Sequence, residues 1–210
     1  MATAEKVKKE EKKETPKRKR RRIPKELIYE MRHGSPIYYR DYDLVLSGEK
    51  SLEEVMGSSG LQFWLIDLIV RFLHQHLNLK KYQLGYGEVG YKFAPKSWYN
   101  LDIAVWEKEK VKPYLKKDTY VEVPPKVVIE VDTKADLRKF TTPMDYFHRK
   151  TKDLLEAGTE RVIWIFTKEK KVWVAEKGKP WLIVDWDYKI PILEGITITL
   201  KDLVEEEENG

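Results

Sequence analysis

The chain has no cysteine, which excludes disulfides and thiolate metal sites alike and suits a reducing, cytoplasmic setting. It has no run of about 18 apolar residues, so neither a transmembrane helix nor a membrane partner is expected. Its first residues are charged and lack an apolar stretch, so a secretory signal is not expected either. The glycines of "GYGEVG" (85–90) have neither the spacing nor the position of a dinucleotide fingerprint, and no nucleotide cofactor is expected. Among the histidines only His74 and His76 lie close in sequence, and on a helix they point apart, which argues against zinc. No internal repeat is present.

What is abundant is charge, and it is unevenly placed. The formal net charge is +5, but residues 1–25 hold 12 Lys/Arg against 4 Glu, a net of +8, so the other 185 residues sum to −3. Residues 1–23 read as a disordered basic tail with little to bury. Its run Lys17, Arg18, Lys19, Arg20, Arg21 and Arg22 supplies cations for phosphate backbones. Residues 24–204 read as the folded domain and 205–210 as an acidic C-terminal tail.

Along the domain, "IPKELIYEMRHGSPIYYRDY" reads as a short helical or strand start with a turn at Gly34-Ser35-Pro36, followed by a polar loop around Gly48. "LQFWLIDLIVRFLHQHLNL" (61–79) is the clearest helix. Its apolar residues at 61, 64, 65, 68, 69, 72 and 73 form one face; Ser58 or Ser59 suits its N-cap, and Gln62 reads as a boundary residue, the alternative being that it approaches the site from this helix. "YQLGYGEVGYKFA", "WYNLDIAVWEKEKV" and 127–132 read as strands. "PMDYFHRKTKDLLEAG" reads as a helix that begins at Pro143 and stops at Gly158. "RVIWIFT", "KKVWVAEK" and "PWLIVDWD" read as three further strands. This order indicates an α/β fold with a central mixed sheet flanked by helices.

Two strands carry acids where acids are costly. In "VVIEVD", Val127, Ile129 and Val131 share one face and Val128, Glu130 and Asp132 the other. Carboxylates on so apolar a strand need partners. Asp102 heads an apolar run in "YNLDIAVWE". Asp102, Glu130 and Asp132 together form an oxygen donor set of the kind Mg²⁺ prefers, and a metal there would polarise a phosphate and activate water. Asp132 reads equally as a strand-end cap. Trp98 and Tyr99, beside Asp102, are candidates for contact with a base.

An Asp at a strand start followed by a strand with an internal Glu resembles the PD-(D/E)XK, restriction-endonuclease-like superfamily. The lysine of that pattern would fall at 132, where Asp stands. The continuation, "PPKVVIEVDTKADL" and then "DYFHRKTKDLLEAGTERVIWIFT", is similar to the Uma-type endonuclease family, in which the lysine sits on the following helix, eight residues before a glycine. Here that lysine is Lys150, before Gly158. On a helix it shares a face with Tyr146, Phe147 and Leu154, beside the apolar stripe. "LIYEMRHGSP" resembles the family's opening segment, with Glu30 at its acidic position. Two features depart from the family pattern: Leu101 rather than Pro precedes Asp102, and the interval from Glu130 to Lys150 is long, which keeps Lys134, Lys139 and Lys152 as competing lysines.

The resemblance implies a Mg²⁺-dependent DNA endonuclease (Mn²⁺ substituting) that leaves a 5′-phosphate, with Asp102 and Glu130 as metal ligands and Lys150 acting on the attacking water. The alternatives are an inactive nucleic-acid-binding or assembly module on the same fold, and a structural homodimer in which Glu130 and Lys150 form only a buried ion pair. Because the domain is net negative, DNA affinity would come from local patches, the basic arm, or a homodimer that places two arms on one duplex.

Overall fold

The structure, a computed structural model, describes residues 23–210; the basic segment with Lys17 to Arg22 lies outside the described residues. The described chain runs β1 (Ile28–Arg32), β2 (Ser35–Tyr38), α1 (Tyr42–Ser47), α2 (Leu52–Met56), α3 (Gly60–His76), β3 (Tyr82–Ala94), β4 (Ser97–Glu107) and α4 (Lys108–Val111). It continues through β5 (Val127–Val131), α5 (Pro143–Ala157), β6 (Arg161–Phe166), β7 (Lys171–Glu176), β8 (Leu182–Asp185), β9 (Ile190–Leu193), β10 (Ile196–Ile198) and α6 (Leu200–Asn209).

Eight strands form one sheet in the order β2-β1-β4-β5-β6-β7-β8, with β3 also paired to β4. Among the described strands only β5 and β6 run parallel, and α5 makes the crossover a parallel pair requires. Strand β5 is buried at every position, as a strand covered on both faces should be. Its alternation divides the interior: Val127, Ile129 and Val131 pack with Leu65, Ile69 and Leu73 of α3, while Val128 packs with Tyr146 and Leu154 of α5. The sheet is thus mixed and flanked by helices on both sides, as the sequence indicates.

Local chemistry accounts for the two long helices. Ser59 caps α3 by accepting from the Gln62 N–H at 3.1 Å. The buried face of α3 is rotated from the expected one. Leu61 is 47% exposed and Gln62 is buried, so the stripe runs 62, 65, 69, 73. Thr142 and Asp145 form a capping box around Pro143, and Gly158 ends α5 at φ +116°, a conformation that L side chains rarely adopt.

Elsewhere the structure differs from expectation. The loop around Gly48 contains α1 and α2, the latter started by a Ser51/Glu54 capping box. The early turn sits at His33-Gly34, both at positive φ, and Ser35 and Pro36 begin the edge strand β2, where a missing N–H is tolerated. Residues 190–198 form a hairpin turned at Glu194-Gly195. Residues 205–209 continue α6. No described helix is long and apolar enough to cross a membrane.

Candidate active site

The β4–β5 register pairs Ile103 with Ile129 and Ala104 with Val128. One residue further on, the antiparallel register sets Asp102 opposite Glu130, on the face that α5 covers, where opposed side chains are about 5 Å apart at Cβ. Asp102 reaches across the strands to accept from the Val131 N–H at 2.8 Å. Both acids are buried, at 5% and 1% exposure.

Helix α5 delivers Lys150 beside Glu130. Its placement is fixed three residues on, where Asp153 accepts two bonds from Arg32 of β1 (2.6 and 3.0 Å) and one from the Tyr99 hydroxyl of β4 (2.6 Å). On the other side Trp164 of β6 donates to Thr151 at 2.8 Å. Lys150 Nζ, itself 1% exposed, donates to Glu30 Oε1 at 2.6 Å and to the Asn100 carbonyl at 2.9 Å. It lies 3.1 Å from Glu130 Oε1, yet outside hydrogen-bonding direction, so that buried oxygen has no hydrogen bond. Glu30 Oε2 accepts from the Tyr146 hydroxyl at 2.8 Å.

Three carboxylates thus share one buried neighbourhood with Lys150, and the electrostatics follow from that count. Burial raises the Glu130 carboxyl well above its ordinary range; Lys150 opposes the rise, and the charges of Asp102 and Glu30 add to it. Burial also raises Glu30 against the pull of Lys150 and Tyr146, and raises Asp102 against the Val131 N–H and Lys150. Burial alone would lower the Lys150 ammonium, but Glu130 and Glu30 outweigh it and hold the group above its ordinary value. Lys150 is therefore a fixed positive charge at neutral pH.

The other candidates separate clearly. Lys134 is buried, pairs with Glu88 and offsets a small part of the rise of the Asp102 carboxyl. Lys139 sits over the Tyr38 ring at 4.2 Å, and the exposed Lys152 faces Glu156 at 3.7 Å. Asp132 adopts φ +54°, and its carboxylate accepts from the Thr167 N–H (3.0 Å) and hydroxyl (2.6 Å). It ties the end of β5 to the segment that follows β6. Tyr99 is buried against Asp153 rather than open to a base, and Trp98 packs edge-on to Tyr120.

Sequence reasoning passed over two contributors and left a third, Gln62, between a boundary residue and a neighbour of the site. Gln62 donates from α3 to the Val131 carbonyl at 2.8 Å; the signal was a lone amide on the stripe 62, 65, 69, 73. Tyr146, one turn before Lys150, carries a hydroxyl that needs a buried partner. The Arg32–Asp153 clamp joins residues 121 positions apart, and nothing local announces it.

No group of three or more His, Asp or Glu among the described residues forms a metal cage. The donor chemistry nevertheless fits a hard cation: two buried carboxylates come from opposed strand positions, one with an oxygen that accepts no hydrogen bond though Lys150 lies 3.1 Å away, and Mg²⁺ commonly takes one or two carboxylates and keeps its waters. A cleft of about 660 Å³ borders this group through Gln62 and the Asp132–Lys134 turn; Glu30, Asp102, Glu130 and Lys150 do not line it.

No family model and no curated protein matches the chain. Among solved structures, a "putative nuclease belonging to DUF820" from Anabaena variabilis aligns over 84% of this chain and 89% of its own, at TM-score 0.61 and 14% identity. At that identity the likeness is one of fold alone: a central mixed sheet flanked by helices, as expected from the sequence.

Proposed function

We propose that the chain is a divalent-metal-dependent nuclease that hydrolyses DNA phosphodiester bonds, with Asp102 and Glu130 holding Mg²⁺ or Mn²⁺. The observation that carries this reading is the charge of the buried group. Glu30, Asp102 and Glu130, if ionised, sum with Lys150 to −3 + 1 = −2, in surroundings that raise all three carboxyls. A divalent cation on Asp102 and Glu130 would balance that charge, and such an ion when bound polarises a phosphate oxygen and acidifies water.

The chain's own groups then have separable tasks. Lys150, held protonated, is suited to donating hydrogen bonds to a phosphate oxygen or to the attacking water, stabilising developing charge; it is not suited to removing a proton. Glu30 and Tyr146 position Lys150 rather than touching substrate. The Arg32–Asp153–Tyr99 clamp holds α5 at the distance this requires. The basic arm adds phosphate affinity, and a homodimer would place two arms on one duplex.

Incubation of supercoiled plasmid and single-stranded DNA with the full chain, in Mg²⁺ or Mn²⁺, tests the reading. Cleavage that needs the metal and is lost in Glu130→Gln is expected; intact DNA with either ion would overturn it. A second reading, an inactive binding or assembly module, is favoured by one observation: the cleft lining omits the four buried groups. DNA binding without cleavage, abolished by deleting residues 1–22, would select it.

A further inference from the structure

The 660 Å³ cleft has a composition that a purely electrostatic duplex-binding surface would not need. Phe147, Phe166 and Trp173 line it together with Met144 and Ile183. The last two are 46% and 65% exposed. Ile183 belongs to β8, the last strand of the sheet, where an exposed apolar side chain is a liability that proteins usually avoid. Phe147 and Phe166 stand edge to face at 5.0 Å, presenting aromatic surface to the cleft.

The charged lining resolves into paired and unpaired groups. Asp41 is neutralised by Lys50 at 2.7 Å, Lys134 by Glu88 and Lys171 by Asp185, and Asp132 is bonded to Thr167. Arg40 and Lys168, and the acids Glu54 and Glu169, are exposed and make no ion pair among the described residues. The cleft therefore joins an apolar wall to a rim where two cations and two acids stand free of ion pairs, and it is lined also by the Asp132–Lys134 turn that follows β5.

We propose that this cleft binds an unpaired DNA strand, seating a base against Met144, Phe166 and Ile183 and backbone phosphates against Arg40 and Lys168. This rests on the nuclease reading above and gives it a substrate class: single-stranded DNA, or a frayed or flapped end, in preference to intact duplex. Its volume is that of a small-molecule pocket, matching a nucleotide or two and not a double helix. Bases stack on aromatic and apolar surface with little regard to sequence because every base offers a π-face, so the site selects for strand state and not for sequence.

The test is fluorescence anisotropy on the full chain in EDTA, which prevents cleavage. The probes are a labelled thymidylate dodecamer, an abasic strand of equal length, and the dodecamer annealed to its complement. Wild type should bind the thymidylate strand about tenfold or more tighter than the abasic one, the size of a stacking contact, and tighter than the duplex. A Met144→Ala/Ile183→Ala double variant, altered only at exposed rim positions, should bring the two single strands to parity with abasic binding unchanged. Lys168→Ala should weaken both single strands alike and reduce the salt slope by about 0.7. Equal binding of thymidylate and abasic strands, duplex binding as tight as single-strand binding, or an unaltered ratio in the double variant would each overturn the proposal. A parallel reaction with Mg²⁺ keeps the two readings apart: metal-dependent cleavage with base-blind binding sinks the cleft and spares the nuclease, and base-dependent binding without cleavage does the reverse.

Discussion

Replacing Glu130 by Gln preserves the size of the side chain and removes its charge, changing the buried group from −3 + 1 = −2 to −2 + 1 = −1 when all its members are ionised. Burial holds the Glu130 carboxyl well above its ordinary range even though Lys150 lies 3.1 Å away, so desolvation, together with Asp102 and Glu30, exceeds the attraction of one ammonium. The direction follows from proton linkage. A carboxyl with a raised folded-state pKa binds its proton more tightly when folded. Its contribution to stability is therefore greatest below the unfolded value of about 4.3 and is lost as pH rises through the window up to the folded value.

The variant lacks that loss. Relative to wild type it should gain up to about 1.4 kcal/mol for each pH unit crossed inside the window. For a chain of this size that is about 3–6 °C in Tm per unit. Thermal melts followed by circular dichroism in EDTA, stepped upward in pH from about the unfolded carboxyl value of 4.3, read this directly. A gap between variant and wild type that stays constant, or a variant that loses ground as pH rises, would refute the reasoning. Glu130 would then be an ionised partner in a net stabilising pair with Lys150, whose loss typically costs about 3–5 kcal/mol.

Lys150→Met removes the ammonium that bonds Glu30, and urea denaturation should show a loss of about 3–5 kcal/mol in alkaline buffer, smaller in acid, where Glu30 and Glu130 take up protons. Asp132→Ala should cost about 1–3 kcal/mol through the lost bonds to Thr167 while leaving Mg²⁺ affinity unchanged; a fall in affinity would make Asp132 a ligand after all. Gly158→Ala places a side chain at φ +116° with its Cβ 3.0 Å from Pro124, and should lower stability by about 1 kcal/mol or more in the same denaturation assay. Deleting residues 1–22 removes Lys17 to Arg22 and should reduce the salt slope of duplex binding by about five, at about 0.9 per phosphate contact.

Much of the fold could be read where local pattern and burial coincide. Strand β5 alternates two cores through its valines, and α5 carries its own start and stop signals in Pro143 and Gly158. The rotated face of α3 was harder to read. Its apolar residues outnumber those the sheet can cover, so Leu61 is left exposed while Gln62 turns inward to bond a strand carbonyl. The helices α1 and α2 were hidden by their shortness, six and five residues, which leaves no helical period to read, although Ser51 and Glu54 spell out a capping box. At the site, the apolar cost of an acid marks Asp102 and Glu130, whereas Glu30 and Lys150 were reached only through family resemblance. The contacts of Lys150 with Glu30 and Asn100 join segments 120 and 50 residues apart, and no local rule reports such separations. The cleft was illegible for the same reason, since its apolar wall and its cations come from α5, β6, β7, β8 and the loops between more distant elements.

The central claim is that the buried carboxylates form a divalent-cation site, and calorimetric titration of Mg²⁺ into the full chain tests it most directly. Because burial raises Asp102 and Glu130, cation binding should displace protons, so the measured heat should change with the ionisation enthalpy of the buffer. The account predicts saturable Mg²⁺ binding to wild type with that proton release, and loss of both in Glu130→Gln. Absence of binding to wild type, or identical binding in the variant, would contradict it.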